Sequence, residues 1–193
     1  FCREPFLKDS GLEWRDAPAE SLDADIVRPA NDPFDAEGGL RLVAGNVGRA
    51  IVKVSAVVPE HYSIKAPARV FSSQAAFTQA FNDGELETDF VAVLPGQGPR
   101  ANGMPELHKL TPYLGVLQNR GFKVALLTDG RMSGASGKVL AAIQVTPESL
   151  AGGVIGKIRD GDTVTIDANG GTMVVEAEDI ESRPTPEADV ANR

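Results

Sequence analysis

The chain has 193 residues, 42% of them hydrophobic and 24% charged, with a formal net charge of −8. A single cysteine, Cys2, excludes an internal disulfide and a self-contained cysteine-ligated zinc or iron–sulfur site, which need several thiols. An acidic excess of 27 over 19 argues against a nucleic-acid groove, and no apolar run reaches the roughly 18 residues of a membrane span. The content suits a globular chain with a core that needs no staples.

Residues 1–37 carry little periodicity. Four prolines, Pro5, Pro18, Pro29 and Pro33, break them up, so they read as an extended linker. From Gly38 the texture changes. Leu40 to Val43 and Ala50 to Val58 are rich in Val, Ile and Leu, with Gly45-Asn46-Val47-Gly48 as a turn between them. A less regular strand is expected over Ser63 to Ser72. Ser73 to Asn82 has helix formers behind an N-cap serine, with Asp83-Gly84 as the stop. Asp89 to Leu94 has the composition of a buried strand.

Pro105 suits a first helical turn, and Leu107, Leu110, Leu114 and Leu117 follow on one helical face before Gly121. Pro112 falls inside this span and predicts a kink or a restart. Lys123 to Thr128 and Val139 to Val145 read as strands. Thr163 to Asp167 and Thr172 to Glu176 flank Asn169-Gly170 as a hairpin, with Val164 and Ile166 facing inward. The polar residues 181–193 read as a solvated tail. The domain expected over 38–180 is a β-rich α/β fold with two or three helices. A start at Phe1 and the polar end suggest a piece of a longer protein.

Two glycine-rich stretches meet regular elements: Gln97 to Glu106 and Thr128 to Lys138. Glycine lets backbone approach a ligand, and successive N–H groups can cradle an anion; the same residues also serve as ordinary turns. Gly134 to Lys138 is not a phosphate-binding P-loop, because Met132 stands where a glycine is required and Val139 follows the lysine. Gly45 to Gly48 lacks the third glycine and the helix of a dinucleotide fingerprint. Of the two histidines, His61 falls in a loop and His108 beside Lys109 on the helix of Leu107; neither has the spacing of a triad. Glu106 at a helix start is either a favourable dipole interaction or a ligand for a hard cation such as magnesium.

Five stretches together resemble the dihydroxy-acid/phosphogluconate dehydratase family: Ala36-Glu37-Gly38-Gly39-Leu40, Gly45 to Ala50, Gly103 to Leu110, Thr128 to Lys138, and Val145-Thr146-Pro147-Glu148. The resemblance runs in order along nearly the whole chain. His108-Lys109 and Ser136-Gly137-Lys138 side with its phosphogluconate branch. It implies a barrel-like swivelling β/β/α domain, the C-terminal part of a cytoplasmic hydro-lyase of the Entner–Doudoroff pathway. The implied reaction takes 6-phospho-D-gluconate to 2-dehydro-3-deoxy-6-phosphogluconate and water.

The resemblance also implies an iron–sulfur cluster, with its ligands in an N-terminal domain, and a magnesium ion. Ser133 matches the serine that serves as base, and Glu106 the glutamate that reaches the magnesium. Ser136 stands by the substrate carboxylate, and Arg131 supports the loop or the anion. Lys138, with His108 and Lys109, is a candidate for the phosphate because phosphate wants cationic donors. The implied partners are the chain's own N-terminal domain and a second subunit of a homodimer, with no nucleic acid and no membrane. The fragment alone is expected to be inactive. The rival readings are a dihydroxy-acid or other sugar-acid dehydratase, and a non-catalytic ligand-binding or interaction module.

Overall fold

The computed structural model describes residues 3–133 and 137–184, so the expectations for Cys2, Ser136 and the end of the tail fall outside the described residues. The chain divides into two units, Phe1–Gly38 and Gly39–Arg193. The first contains an antiparallel hairpin of β1 (Arg3–Lys8) and β2 (Gly11–Asp16). Pro5 pairs opposite Trp14. A proline survives in a strand where its missing N–H faces away from the ladder, and a two-stranded hairpin has such edges throughout.

The second unit is a closed barrel, β10-β3-β4-β8-β7-β6-β5-β9. Its strands are β3 (Leu40–Gly45), β4 (Gly48–Lys53), β5 (Ser63–Val70), β6 (Phe90–Leu94), β7 (Val124–Thr128), β8 (Leu140–Thr146), β9 (Thr163–Asp167) and β10 (Thr172–Glu176). β5, β6, β7 and β8 run parallel to one another, and the other pairs are antiparallel except β10 with β3. The β3–β4 hairpin closes through Asn46-Val47 between paired Gly45 and Gly48. The expected strand over Ala50 to Val58 stops at Lys53.

Two apolar layers explain the fully buried runs of β6 and β7. Val91, Val93, Ala125 and Leu127 point into the barrel with Val52, Ile166 and Met173. Phe90, Ala92, Leu94, Val124 and Leu126 point outward to a second cluster. That cluster holds the buried faces of α1 (Gln74–Asn82) and α2 (Leu110–Asn119), including Phe77, Leu114 and Leu117. A strand buried on both faces has no polar alternation to display.

Ser73 caps α1 as expected, its hydroxyl accepting from the Ala76 N–H at 3.1 Å. α2 begins at Leu110, five residues later than Pro105 suggests. Pro112 is therefore its third residue, where the missing N–H is one that the first turn leaves without an intrahelical partner. No kink follows from it. Among the described residues no helix is long and apolar enough to cross a membrane.

Beyond β10, Arg183 fastens the chain back onto the barrel. Its guanidinium holds Asp162 through both terminal nitrogens, Nη2 to Oδ1 at 2.9 Å, and also reaches Asp179 at 2.7 Å and the Lys157 carbonyl at 3.1 Å. The Arg183 and Asp162 side chains are only 8% and 10% exposed. Hydrogen bonding from Arg183 holds Asp162 below the usual carboxylate range, against the opposing effect of burial. The same guanidinium lowers Asp179.

A carboxyl with a depressed folded-state pKa contributes stability that is full above its unfolded pKa and lost as pH falls through the folded one. The urea midpoint is therefore expected to fall with acid below about pH 4, the unfolded value of an aspartate. Asp162→Asn is expected to flatten that acid limb and to lower the plateau at pH 7. A variant with the wild-type acid limb would show that this pair does not couple to folding.

Candidate active site

Three parallel strands, β6, β7 and β8, send their carboxyl ends into loops on one side of the barrel, the usual position for ligand sites in such sheets. Two buried carboxylates fix these loops. Asp129, directly after β7 and 1% exposed, accepts from the Gln97 N–H at 2.8 Å, the Ser149 N–H at 2.9 Å and the Gly96 N–H at 3.2 Å. It thereby ties the loop after β6 to the loop after β8. Glu148, 8% exposed, accepts from the N–H groups of Arg100 and Ala101 at 3.1 and 3.4 Å.

The glycines of the two rich stretches are explained in part by this packing. A Cβ on Gly98 would lie 2.1 Å from Glu148 Oε2, and one on Gly130 would lie 2.7 Å from Gln97 Cβ and 3.0 Å from Leu107 Cδ1. Both glycines give room for a neighbour. Gly130 is further held by its N–H on Thr128 Oγ1 at 3.0 Å, with that hydroxyl donating to the Leu94 carbonyl at 2.7 Å.

Glu106, Arg131 and Ser133 come together next to this frame. Glu106 is not in a helix; it forms an isolated parallel bridge with Arg131, and the Leu107 N–H donates to the Arg131 carbonyl at 3.2 Å. Its Oε2 is ion-paired with Arg131 at 2.7 Å. Its Oε1 accepts from the Ser133 N–H at 2.7 Å and the His108 N–H at 3.0 Å. Arg131 Nε donates to the Met104 carbonyl at 2.8 Å. One carboxylate thus joins the loop after β7 to the approach to α2, and sets the backbone that carries Ser133. With side chains 36% and 49% exposed, the pair is worth about 1 kcal/mol or less by itself, so it orders the loop more than it stabilises the fold.

Lys138 is exposed, and its backbone lies against the far end of α2. Its carbonyl accepts from Gln118 near the end of α2, whereas Met132 Sδ accepts from Thr111 Oγ1 at 3.2 Å at the start of that helix. Seven helical residues separate the two, about 10 Å. His108 and Lys109 sit in the turn before α2. Ser136 is outside the described residues.

Asp129, Glu148 and Gln144 are the site-forming residues that sequence reasoning did not select. Asp129 falls inside a glycine-rich stretch and Glu148 is one letter of a motif. Only the tertiary contacts reveal their work.

Comparison with known proteins gives this arrangement its relatives. The family model described as "Dihydroxy-acid/6-phosphogluconate dehydratase C-terminal" matches residues 25–191. A phosphogluconate dehydratase of Pseudomonas aeruginosa is 62% identical over 181 residues, 94% of this chain and 30% of the relative. One of Escherichia coli K12 is 49% identical over 185 residues, 95% of this chain and 31% of the relative. A dihydroxy-acid dehydratase of Sulfurisphaera tokodaii is 40% identical over 154 residues, 78% of this chain and 27% of the relative. The chain thus spans about 30% of the length of the curated relatives it matches. On this match and on the motifs that meet around Glu106 and Ser133, the chain belongs to the dihydroxy-acid/6-phosphogluconate dehydratase C-terminal family.

Proposed function

We propose that this chain is the C-terminal part of a hydro-lyase that converts 6-phospho-D-gluconate to 2-dehydro-3-deoxy-6-phosphogluconate and water, and that it carries half of the active site. The observation that carries this reading is the junction of Glu106, Arg131 and the Ser133 backbone at the carboxyl ends of the parallel strands. The higher identity to relatives named phosphogluconate dehydratase favours that substrate over a shorter dihydroxy acid.

In this reading Ser133 removes the C2 proton. A serine hydroxyl is a weak base at its ordinary pKa and needs positive charge nearby to act so. Arg131, two residues away and held by Glu106 and the Met104 carbonyl, is the cation in the cluster. Loss of the C3 hydroxyl then leaves an enol, which ketonises to the product.

A magnesium ion would polarise the substrate's carboxylate and C2 oxygens. Glu106 fits as one oxygen donor, since its carboxylate is partly exposed. Among the described residues no group of three His, Cys, Asp or Glu side chains could hold a metal ion, so the remaining donors must come from elsewhere. An iron–sulfur cluster does not fit the residues of this chain, which has one cysteine. Its ligands would belong to an N-terminal domain, without which the chain is inactive. That domain, a homodimer and a cytoplasmic location complete the proposal.

Glu106→Gln in the long enzyme tests the reading. The change keeps the shape and removes the charge that both Arg131 and a hard cation recognise. The half-saturating magnesium concentration is expected to rise and the rate to fall, with only a small drop in melting temperature because the Glu106–Arg131 pair is partly exposed. An unchanged magnesium titration with an unchanged rate would leave Glu106 a structural latch.

A further inference from the structure

Beside the Glu106 cluster lies a pocket of about 430 Å³ lined by Pro99, Met104, Gln144, Val145, Thr146 and Pro147, with Asp129, Glu148 and Ala151 completing it. Two features separate it from a packing defect. Met104 and Gln144 are the two non-glycine residues with positive φ among those described, both at 56°, and both line it. Such backbone persists only where surrounding structure holds it, and it clusters at ligand sites. Gln144 is held there by its N–H on the Gly130 carbonyl at 2.8 Å, and Met104 by its carbonyl on Arg131 Nε.

The second feature is charge. Asp129 is 1% exposed and forms no ion pair among the described residues, and Glu148 has only Arg100 at 4.0 Å. Two carboxylates in the wall repel a phosphate or a carboxylate. Each is an acceptor with about four lone-pair positions, and backbone N–H groups do not fill them all. Asp129 sits behind the wall at 1% exposure, so hydroxyl donors meet the Glu148 carboxylate and the exposed Gln144 side chain, and Pro99, Met104, Val145 and Pro147 offer apolar surface to carbon-bound hydrogens.

We propose that this pocket is a subsite for a neutral polyhydroxy chain, and that in the dehydratase reading, on which the substrate assignment rests, it takes the hydroxylated middle of the sugar acid. Its acidic wall turns the charged ends of the substrate away from it. The Met104–Arg131–Glu106 contacts put it next to Ser133.

The test is an NMR titration of this 193-residue chain with ribitol and, separately, with inorganic phosphate. Ribitol is expected to shift the amide signals of Met104, Gln144 and Ala151 saturably, and phosphate to leave them in place. Ala151→Leu fills the pocket from an exposed position and is expected to abolish the ribitol shifts. Gln144→Gly, which accepts the φ of 56° without strain, is the second variant and is expected to weaken them. No saturable shift with ribitol, the same shifts with phosphate, or shifts that survive Ala151→Leu would overturn the proposal.

In the long enzyme Ala151→Leu is expected to raise KM for 6-phosphogluconate about tenfold or more with little change in kcat. A fall in kcat at constant KM would contradict the assignment. The titration needs no turnover, so its failure leaves the dehydratase reading standing. A failed dehydratase reading likewise leaves the ribitol result standing.

Discussion

Asp129→Asn is expected to destabilise the domain by roughly 3 kcal/mol, since hydrogen bonds to a charged group contribute about 1.5–3 kcal/mol and a buried donor left unpaired costs a similar amount. The native carboxylate offers two oxygens to three backbone N–H groups, those of Gly96, Gln97 and Ser149. An asparagine has one acceptor oxygen. In either orientation of the amide, its NH₂ faces at least one of those N–H groups across a distance made for attraction.

The site is 1% exposed, so water cannot relieve the conflict. For a domain of this size the melting temperature should fall by on the order of 10 °C. Amide exchange should speed up first at Gly96, Gln97 and Ser149, because the loops after β6 and β8 lose their common anchor. A variant that melts within about 1 °C of wild type would show that the three N–H groups do not depend on the charge.

The sequence displays some of this fold directly and hides the rest for identifiable reasons. β9 and β10 are legible to the residue, because Val164 and Ile166 alternate with polar neighbours and Met173 and Val175 bury on one face beside Thr172 and Glu176, around an Asn-Gly turn. α1 is legible because Ser73 is a local cap. β6 and β7 show as short apolar runs, but a run cannot say which residues face the barrel and which face the helices.

The start of α2 is misread because Leu107 has helical spacing and is 0% exposed, yet its N–H is taken by the Arg131 carbonyl, 24 residues away. A long-range bridge there competes with a local helix and prevails. The β1–β2 hairpin is masked by Pro5, which deters a strand reading everywhere except at an edge.

The site divides in the same way. Ser133 and Arg131 are legible only through resemblance, whereas Glu106 stands out beside a glycine-rich loop as a candidate cation ligand; no spacing connects positions 106 and 131. The fold joins them by a backbone bridge and an ion pair. Asp129, Glu148 and Gln144 needed the tertiary structure, because neither a carboxylate that receives backbone N–H groups nor a positive φ at Gln144 leaves a mark in composition or periodicity.

Ser133→Ala carries the largest expected effect on the reaction. The Ser133 backbone N–H is fixed to Glu106 Oε1 at 2.7 Å, an anchor that the substitution keeps. The substitution removes one oxygen from a partly buried side chain and leaves the Glu106–Arg131 pair intact. General-base catalysis is typically worth about 10²–10⁴-fold, and kcat should fall by at least that order. Binding contacts made elsewhere remain, so KM should change little.

The measurement is the rate of 2-keto-acid formation from 6-phosphogluconate by the long enzyme, wild type against Ser133→Ala. Both are matched for melting temperature and for the visible absorbance expected of the proposed iron–sulfur cluster. A variant with wild-type absorbance and a kcat lower by about two orders of magnitude or more is the result expected of a catalytic base. A variant with wild-type absorbance and a near-normal kcat would remove Ser133 from the chemistry and leave the Glu106–Arg131–Ser133 junction a structural turn.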